Sequence, residues 1–170
     1  MQLFVIYIGG MHDESFIELH DMRFVIANSI EDTYDELKKT WWGIPESLHL
    51  DAWGVLRYAD GHAIHLAAEP AQNTQNKLYF VNLGGYDKNQ FTELHNNVFV
   101  VAENESQAKV NAVKQIAGWE SPHRDNQYQI ENIVDITKIA ASKDVYIHLH
   151  PTHKAQEFEF TCRYVPIGRG

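Results

Sequence analysis

The sequence predicts an α+β fold made by tandem duplication of one β-β-α-β-β unit, a sheet with one helix per repeat, in a pseudo-twofold arrangement. Three observations lead there. The chain repeats itself at an offset of 75 residues. Each repeat opens with two runs rich in β-branched and aromatic residues. Each then carries a helix start signal followed by an apolar stripe at helical spacing.

The repeat is read from order and spacing. A shift of 75 lays Leu3 on Leu78, Gly9-Gly10 on Gly84-Gly85, Glu18-Leu19-His20 on Glu93-Leu94-His95, Phe24-Val25 on Phe99-Val100 and Gly43 on Gly118. With one residue deleted, His49-x-Asp51 falls on His123-x-Asp125, and after an insertion Ile64-His65-Leu66 falls on Ile147-His148-Leu149. The first repeat is placed at 1–72 and the second at 76–155, joined by the polar segment Gln72-Asn73-Thr74-Gln75-Asn76. A tail follows at 156–170, where alternating Phe158, Phe160, Cys162 and Tyr164 suggest an edge strand with Cys162 buried as a small hydrophobe.

The elements follow in order. Leu3–Ile8 and Leu78–Leu83 read as strands ended by Gly-Gly turns that need positive φ. Second strands are expected over His20–Ala27 and His95–Ala102. Ser29 with Asp32, and Asn104 with Gln107, stand at capping-box spacing. Ile30, Tyr34, Leu37 and Trp41 make the first helix's apolar stripe, and Ala108, Ala112, Val113 and Ile116 the second's. Gly43 and Gly118 are read as helix stops. The third and fourth strands are placed at Leu48–Tyr58 and Ala63–Ala67, turned by Asp60-Gly61. In the second copy they are placed at Tyr128–Val134 and Val145–His150, with a long connection between them. Trp41, Trp42, Trp53 and Trp119 are expected to fill the space between helix and sheet.

Charge restricts the function classes. The net charge is −9, with four Lys and Arg against twelve Asp and Glu in residues 1–75, and ten against eleven in 76–170. A surface this acidic does not neutralise phosphates, so nucleic acid is not an expected partner. No apolar run approaches the roughly 20 residues of a membrane span, so no membrane association is expected. The apolar start lacks a basic lead and a cleavage site and reads as a strand, not a signal peptide. A single cysteine, Cys162, excludes an internal disulfide framework and makes the cytoplasm the expected compartment.

At Gly9-Gly10, Glu18-x-His20-Asp21, Phe24 and His49-x-Asp51-Ala52-Trp53 the chain resembles the bacterial family catalogued as domain of unknown function 1543. The resemblance implies two tandem copies of that short domain. The second departs from the pattern, with Asn96 for Asp21 and Asn126-Gln127 where Ala52-Trp53 stand. The family carries no stated activity, so the resemblance bears on organisation alone.

The residues with the most chemistry are the repeated Glu-x-His and His-x-Asp pairs: Glu18, His20, His49 and Asp51, then Glu93, His95, His123 and Asp125. Residues two apart on a strand point to one face. Each set can therefore brace the Gly9-Gly10 or Gly84-Gly85 loop, form a small-ligand or acid–base site, or ligate a metal. The brace is the favoured reading, and no cofactor or metal is expected. His148-x-His150 reads as a pair of solvent-exposed histidines near a strand end. No Ser-His-Asp or Cys-His order is evident, so catalytic residues are unknown. The leading expectation is a non-catalytic module binding a small molecule or protein. The alternative is a small metal-assisted or acid–base enzyme using the same groups.

Overall fold

A continuous apolar run, Leu3 to Ile8, makes Gln2–Gly10 a strand (β1) that is buried over most of its length and hydrogen-bonded along both edges. The computed structural model describes residues 1–86, 89–116, 129–154 and 156–168. They form a mixed α and β structure of two compact units, residues 1–58 with 155–170 and residues 59–154.

In the first unit β1 lies between β2 (Leu19–Ala27) and β3 (His49–Val55), and β10 (Phe160–Pro166) adds to the outer edge of β3. All pairs are antiparallel. The even-numbered residues of β1 (Phe4, Ile6, Ile8) pack with Val25, Leu48, Leu50 and Ile167 against Leu37 of α1 (Tyr34–Thr40). The capping box forms: Ser29 N–H donates to Asp32 Oδ2 and Asp32 N–H to Ser29 Oγ. Of the expected stripe only Leu37 is fully buried, with Ile30, Tyr34 and Trp41 packed around it. Trp42 is half exposed.

The second unit repeats the pairing. β6 (Lys77–Gly85) lies between β7 (Leu94–Ala102) and β8 (Gln129–Asp135). Tyr79, Val81 and Leu83 face Ala108, Ala112 and Ile116 of α2 (Glu105–Ile116). Alanines on this face let the helix approach closely, but Val113 is exposed instead of joining them. Asn104 Oδ1 accepts from Gln107 N–H, while Gln107 Oε1 accepts from Glu103 N–H, one residue outside an ideal box. The connection after β8 contains a short helix, α3 (Ile136–Ala141), capped by Asp135, whose Oδ1 accepts from Lys138 N–H.

Several expectations need correction. The strand placed at Leu48–Tyr58 is split, since β3 ends at Val55 and a two-residue β4 (Tyr58–Ala59) enters the Asp60-Gly61 turn. That turn has φ 45° and 70°, the left-handed pair that a two-residue hairpin needs. The following β5 (His62–Ala67) does not extend the sheet of β1. It pairs with β9 (Tyr146–Pro151), because β1 and β10 already occupy both edges of β3. Gly9, Gly10, Gly84 and Gly85 belong to strands and lack positive φ, so they are not turn glycines. Gly43 likewise lacks it; α1 ends because Trp41 turns extended. Cys162 is exposed, since β10 is an edge strand with little covering it. Gly118 and Trp119 lie outside the described residues. Among the described residues no helix is long and apolar enough to cross a membrane.

Leu37 is the helix's anchor in the first core, so Leu37→Ala should cost about 3 kcal/mol. Val113→Ala, on an exposed face, should stay within about 0.5 kcal/mol. Urea denaturation of the two variants checks both values.

Candidate functional site

The candidate site is a row across the first sheet. Gly9 of β1 pairs with His20 of β2 on one side and with His49 of β3 on the other. Paired residues project to the same face, so two imidazoles stand over a position with no side chain. The face is the one opposite Phe4, Ile6 and Ile8. Glu18 lies two residues before His20, and Asp51 two residues after His49.

A β-bulge aims Asp51. The β1–β3 register passes from Gly9↔His49 and Ile8↔Leu50 directly to Tyr7↔Ala52, leaving Asp51 as the extra residue. Bulges turn a side chain out of the regular pleat, and here the carboxylate comes to the imidazoles. His20 Nε2 is 3.5 Å from Glu18 Oε2 and 3.3 Å from Asp51 Oδ2. His49 Nε2 is 3.0 Å from Glu18 Oε1 and 3.5 Å from Asp51 Oδ1. Each imidazole thus faces one oxygen of each acid. Glu18, His20, His49 and Asp51, all expected from sequence, come together.

Gly9 is there for space. A Cβ at this position would sit 2.7 Å from His49 Nε2, 2.9 Å from Asp51 Oδ2 and 3.0 Å from His20 Cδ2. Gly10 faces the other side of the sheet, where a Cβ would meet the Trp41 ring at 2.6 Å.

The hydrogen bonding of this cluster is incomplete. His49 is 2% exposed, and its Nδ1 lies 2.8 Å from the Ser47 carbonyl. A carbonyl only accepts, so Nδ1 carries the hydrogen and a neutral ring presents a lone pair at Nε2. That lone pair faces carboxylate oxygens, which are acceptors too. Despite the 3.0 Å approach to Glu18, the alignment is not that of a hydrogen bond: His49 Nε2 and Asp51 Oδ2 are both buried with ionic neighbours but no hydrogen-bond partner. Each such atom costs about 1–3 kcal/mol, a large sum against the 5–15 kcal/mol that holds a typical domain. A brace would use these atoms.

Two residues that the sequence reading missed flank the cluster. Tyr7 stacks on His20 with ring centroids 5.1 Å apart, and Tyr164 of β10 lies against His49 at 4.4 Å. Burial first, then Asp51 and Asp21, push the Tyr7 hydroxyl above its ordinary pKa. Tyr7's place two residues before Gly9 was the available signal; nothing local pointed to Tyr164.

In the second unit the same row is His95–Gly84–Gln129, and the bulged residue is Glu131. His95 Nε2 lies 3.1 Å from Glu131 Oε2 and 4.0 Å from Glu93 Oε2. These three residues offer ligand atoms within 4.8 Å of one another, a tighter group than the four of the first unit. All three side chains are at least 30% exposed, however, and none has an orphaned buried atom. The Tyr86 hydroxyl bonds to Glu93, which raises its pKa. Thus Glu93 and His95 meet as expected. Gln129 and Glu131 hold the ladder positions of His49 and Asp51, while His123 and Asp125 lie outside the described residues.

Volume does not mark the chemistry. A cavity of about 990 Å³ opens in the second unit beside Lys77, Tyr79, Asn104 and Asp135, and none of the clustered residues lines it. Orphaned donors and acceptors are the better guide, because they record an unmet demand for a partner.

Residues 15–66 match the family described as Domain of Unknown Function (DUF1543), a span holding Glu18, His20, His49 and Asp51. The chain is similar over 99% of its length, and 99% of the other's, to the crystal structure of a protein Il1583 from Idiomarina loihiensis, at 29% identity and a TM-score of 0.69. No curated protein matches.

The two glycines should respond differently to a methyl group. At Gly9 it meets a buried imidazole, so Gly9→Ala should cost about 1–3 kcal/mol. At Gly84 it meets Glu131 and Glu93, whose exposed ends can swing away, so Gly84→Ala should cost under about 1 kcal/mol. Paired denaturation curves decide; equal costs would contradict this geometry.

Proposed function

We propose that the chain is a duplicated binding module whose working site is the Glu18–His20–His49–Asp51 cradle over Gly9, taking a small cationic or hydrogen-donating ligand. One observation carries the reading: buried His49 Nε2 and Asp51 Oδ2 lack hydrogen bonds in a group made of acceptors. The acidity of residues 1–75 supports a cation over an anion, since a field of one sign draws the opposite charge. It also argues against nucleic acid.

Duplication is supported by the ladders. Gln2↔Ala27 through Gly10↔Leu19 recur as Lys77↔Ala102 through Gly85↔Leu94, and both third strands bulge at an acid. His65 and His148, equivalent in sequence, stand opposite each other on β5 and β9, the pairing a local twofold produces. In this reading the second site is an altered copy, with Gln129 where the first has an imidazole. The module works in the cytoplasm, as the single cysteine suggests.

A metal-assisted or acid–base enzyme is the second reading, and the two imidazoles, each facing two carboxylates, favour it. Turnover of a ligand found to bind would select it.

Asp51→Asn tests the site against a brace. It replaces one acceptor by a donor, so stability should hold or rise by up to about 1 kcal/mol, while stabilisation by small-ligand hits in a thermal-shift screen disappears. A brace predicts a loss of about 1–2 kcal/mol with no change in ligand response, and that result would reject the proposal.

A further inference from the structure

We infer that the cradle over Gly9 is a site for one divalent first-row transition-metal ion, of which zinc is the simplest occupant. The inference rests on the binding-site reading above and names its ligand class. It replaces the expectation from sequence that no metal is involved.

The donor set is two imidazole nitrogens, His20 Nε2 and His49 Nε2, and the carboxylates of Glu18 and Asp51. Imidazole with carboxylate suits zinc, manganese or iron, whereas magnesium and calcium prefer oxygen alone. Two carboxylates also match the charge of a divalent ion.

An ion would draw these donors inward: no three of their ligand atoms stand within 4.8 Å of one another, and the partly exposed side chains of Glu18 and His20 are the ones placed to close on it. At metal–ligand distances of about 2.0–2.1 Å, neighbouring donors stand roughly 3.4 Å apart in a tetrahedron and roughly 3.0 Å apart in an octahedron. The four nitrogen–oxygen separations are 3.0, 3.3, 3.5 and 3.5 Å. Each histidine–acid pair is thus near that interval, with a different oxygen of each acid toward each ring, and none forms the hydrogen bond that would otherwise explain buried His49 Nε2 and Asp51 Oδ2.

His49 is already oriented as a ligand. Its Nδ1–H is held by the Ser47 carbonyl at 2.8 Å, which fixes the tautomer with Nε2 free to donate its electron pair. Metal-binding histidines are regularly held this way by an outer partner. Glycine at position 9 keeps the space over the strand clear, and the bulge turns Asp51 into the same ring. The side chains of Glu18 and His20, 41% and 33% exposed, leave a path for an ion and room for a further ligand.

Other clusters are weaker candidates. Glu93, His95 and Glu131 are close enough to ligate but are exposed, and Gln129 stands where His49 would supply the second imidazole. On the β5–β9 pair, His65, His148 and His150 lie near one another, but His148 Nε2 is engaged by the Glu69 carbonyl.

The test uses the full chain, stripped by chelator, then titrated with Zn²⁺, Mn²⁺ and Mg²⁺ while melting temperature and bound metal are followed. Zn²⁺ should bind at about one ion per chain with high affinity and raise the melting temperature, with Mg²⁺ ineffective. His49→Gln and His20→Gln should each weaken Zn²⁺ binding at least about tenfold, and Glu93→Gln should leave the tight site intact. Circular dichroism checks folding, and the partly exposed His20→Gln carries the test if His49→Gln fails to fold. Zn²⁺ binding unchanged in His20→Gln, or absent from the parent, would overturn the inference. Should the parent bind no metal but keep an Asp51-dependent small ligand, the metal is wrong and the binding-site reading stands. Loss of both would reject the two together.

Discussion

Across β2, β1 and β3 runs a row of three residues in which the middle one has no side chain. Everything chemical in the first unit depends on that gap. With a Cβ at Gly9 the His49 ring, Asp51 and His20 could not all occupy their places, because the nearest atoms would stand only 2.7–3.0 Å away. The sheet supplies the rigidity. β1 is paired on both sides, and its other face is anchored by Phe4, Ile6 and Ile8 in the core. A site on a central strand is held more firmly than one on a loop, and strand register brings the two imidazoles to one face.

The second constraint is the bulge. A regular β3 would pair Asp51 with Tyr7 on the His49 face; the bulge leaves Asp51 as the extra residue beside the row. The same device recurs at Glu131, opposite β6. Both units therefore share a way of presenting an acid next to a histidine, yet they differ in the third-strand partner of the glycine, histidine in one and glutamine in the other. The first cluster contains a buried histidine with unmet hydrogen-bonding demand, whereas Glu93, His95 and Glu131 are partly exposed and have no orphaned buried atom.

Much of this was legible in the sequence. Glu18-x-His20 and His49-x-Asp51 have the spacing of residues on one strand face, and their convergence follows once β2 and β3 flank β1. The helix cap at Ser29 and Asp32 and the Asp60-Gly61 turn are local, so they too could be read. The role of the glycines could not, because a close approach from neighbouring strands leaves no local mark and a Gly-Gly pair resembles a turn. Nor could the partner of His62–Ala67, which was settled by β10 arriving from the far end of the chain to take the edge of β3. Helix α3 did carry a signal, Asp135 capping an Ile136, Ile139, Ala140 stripe, but it is only six residues long. Glu131 was missed because the offset between matching ladder positions of the two units changes from 75 to 80 before the third strand.

We propose that the buried atoms left without hydrogen bonds around Gly9 are the contacts of a bound ligand. A crystal structure of the protein grown with Zn²⁺, with anomalous diffraction recorded on both sides of the zinc absorption edge, tests it most directly. An edge-dependent peak bounded by His20 Nε2, His49 Nε2, Glu18 and Asp51 is expected. An ordered water alone at that point, or zinc held only by exposed histidines such as His150, would contradict it.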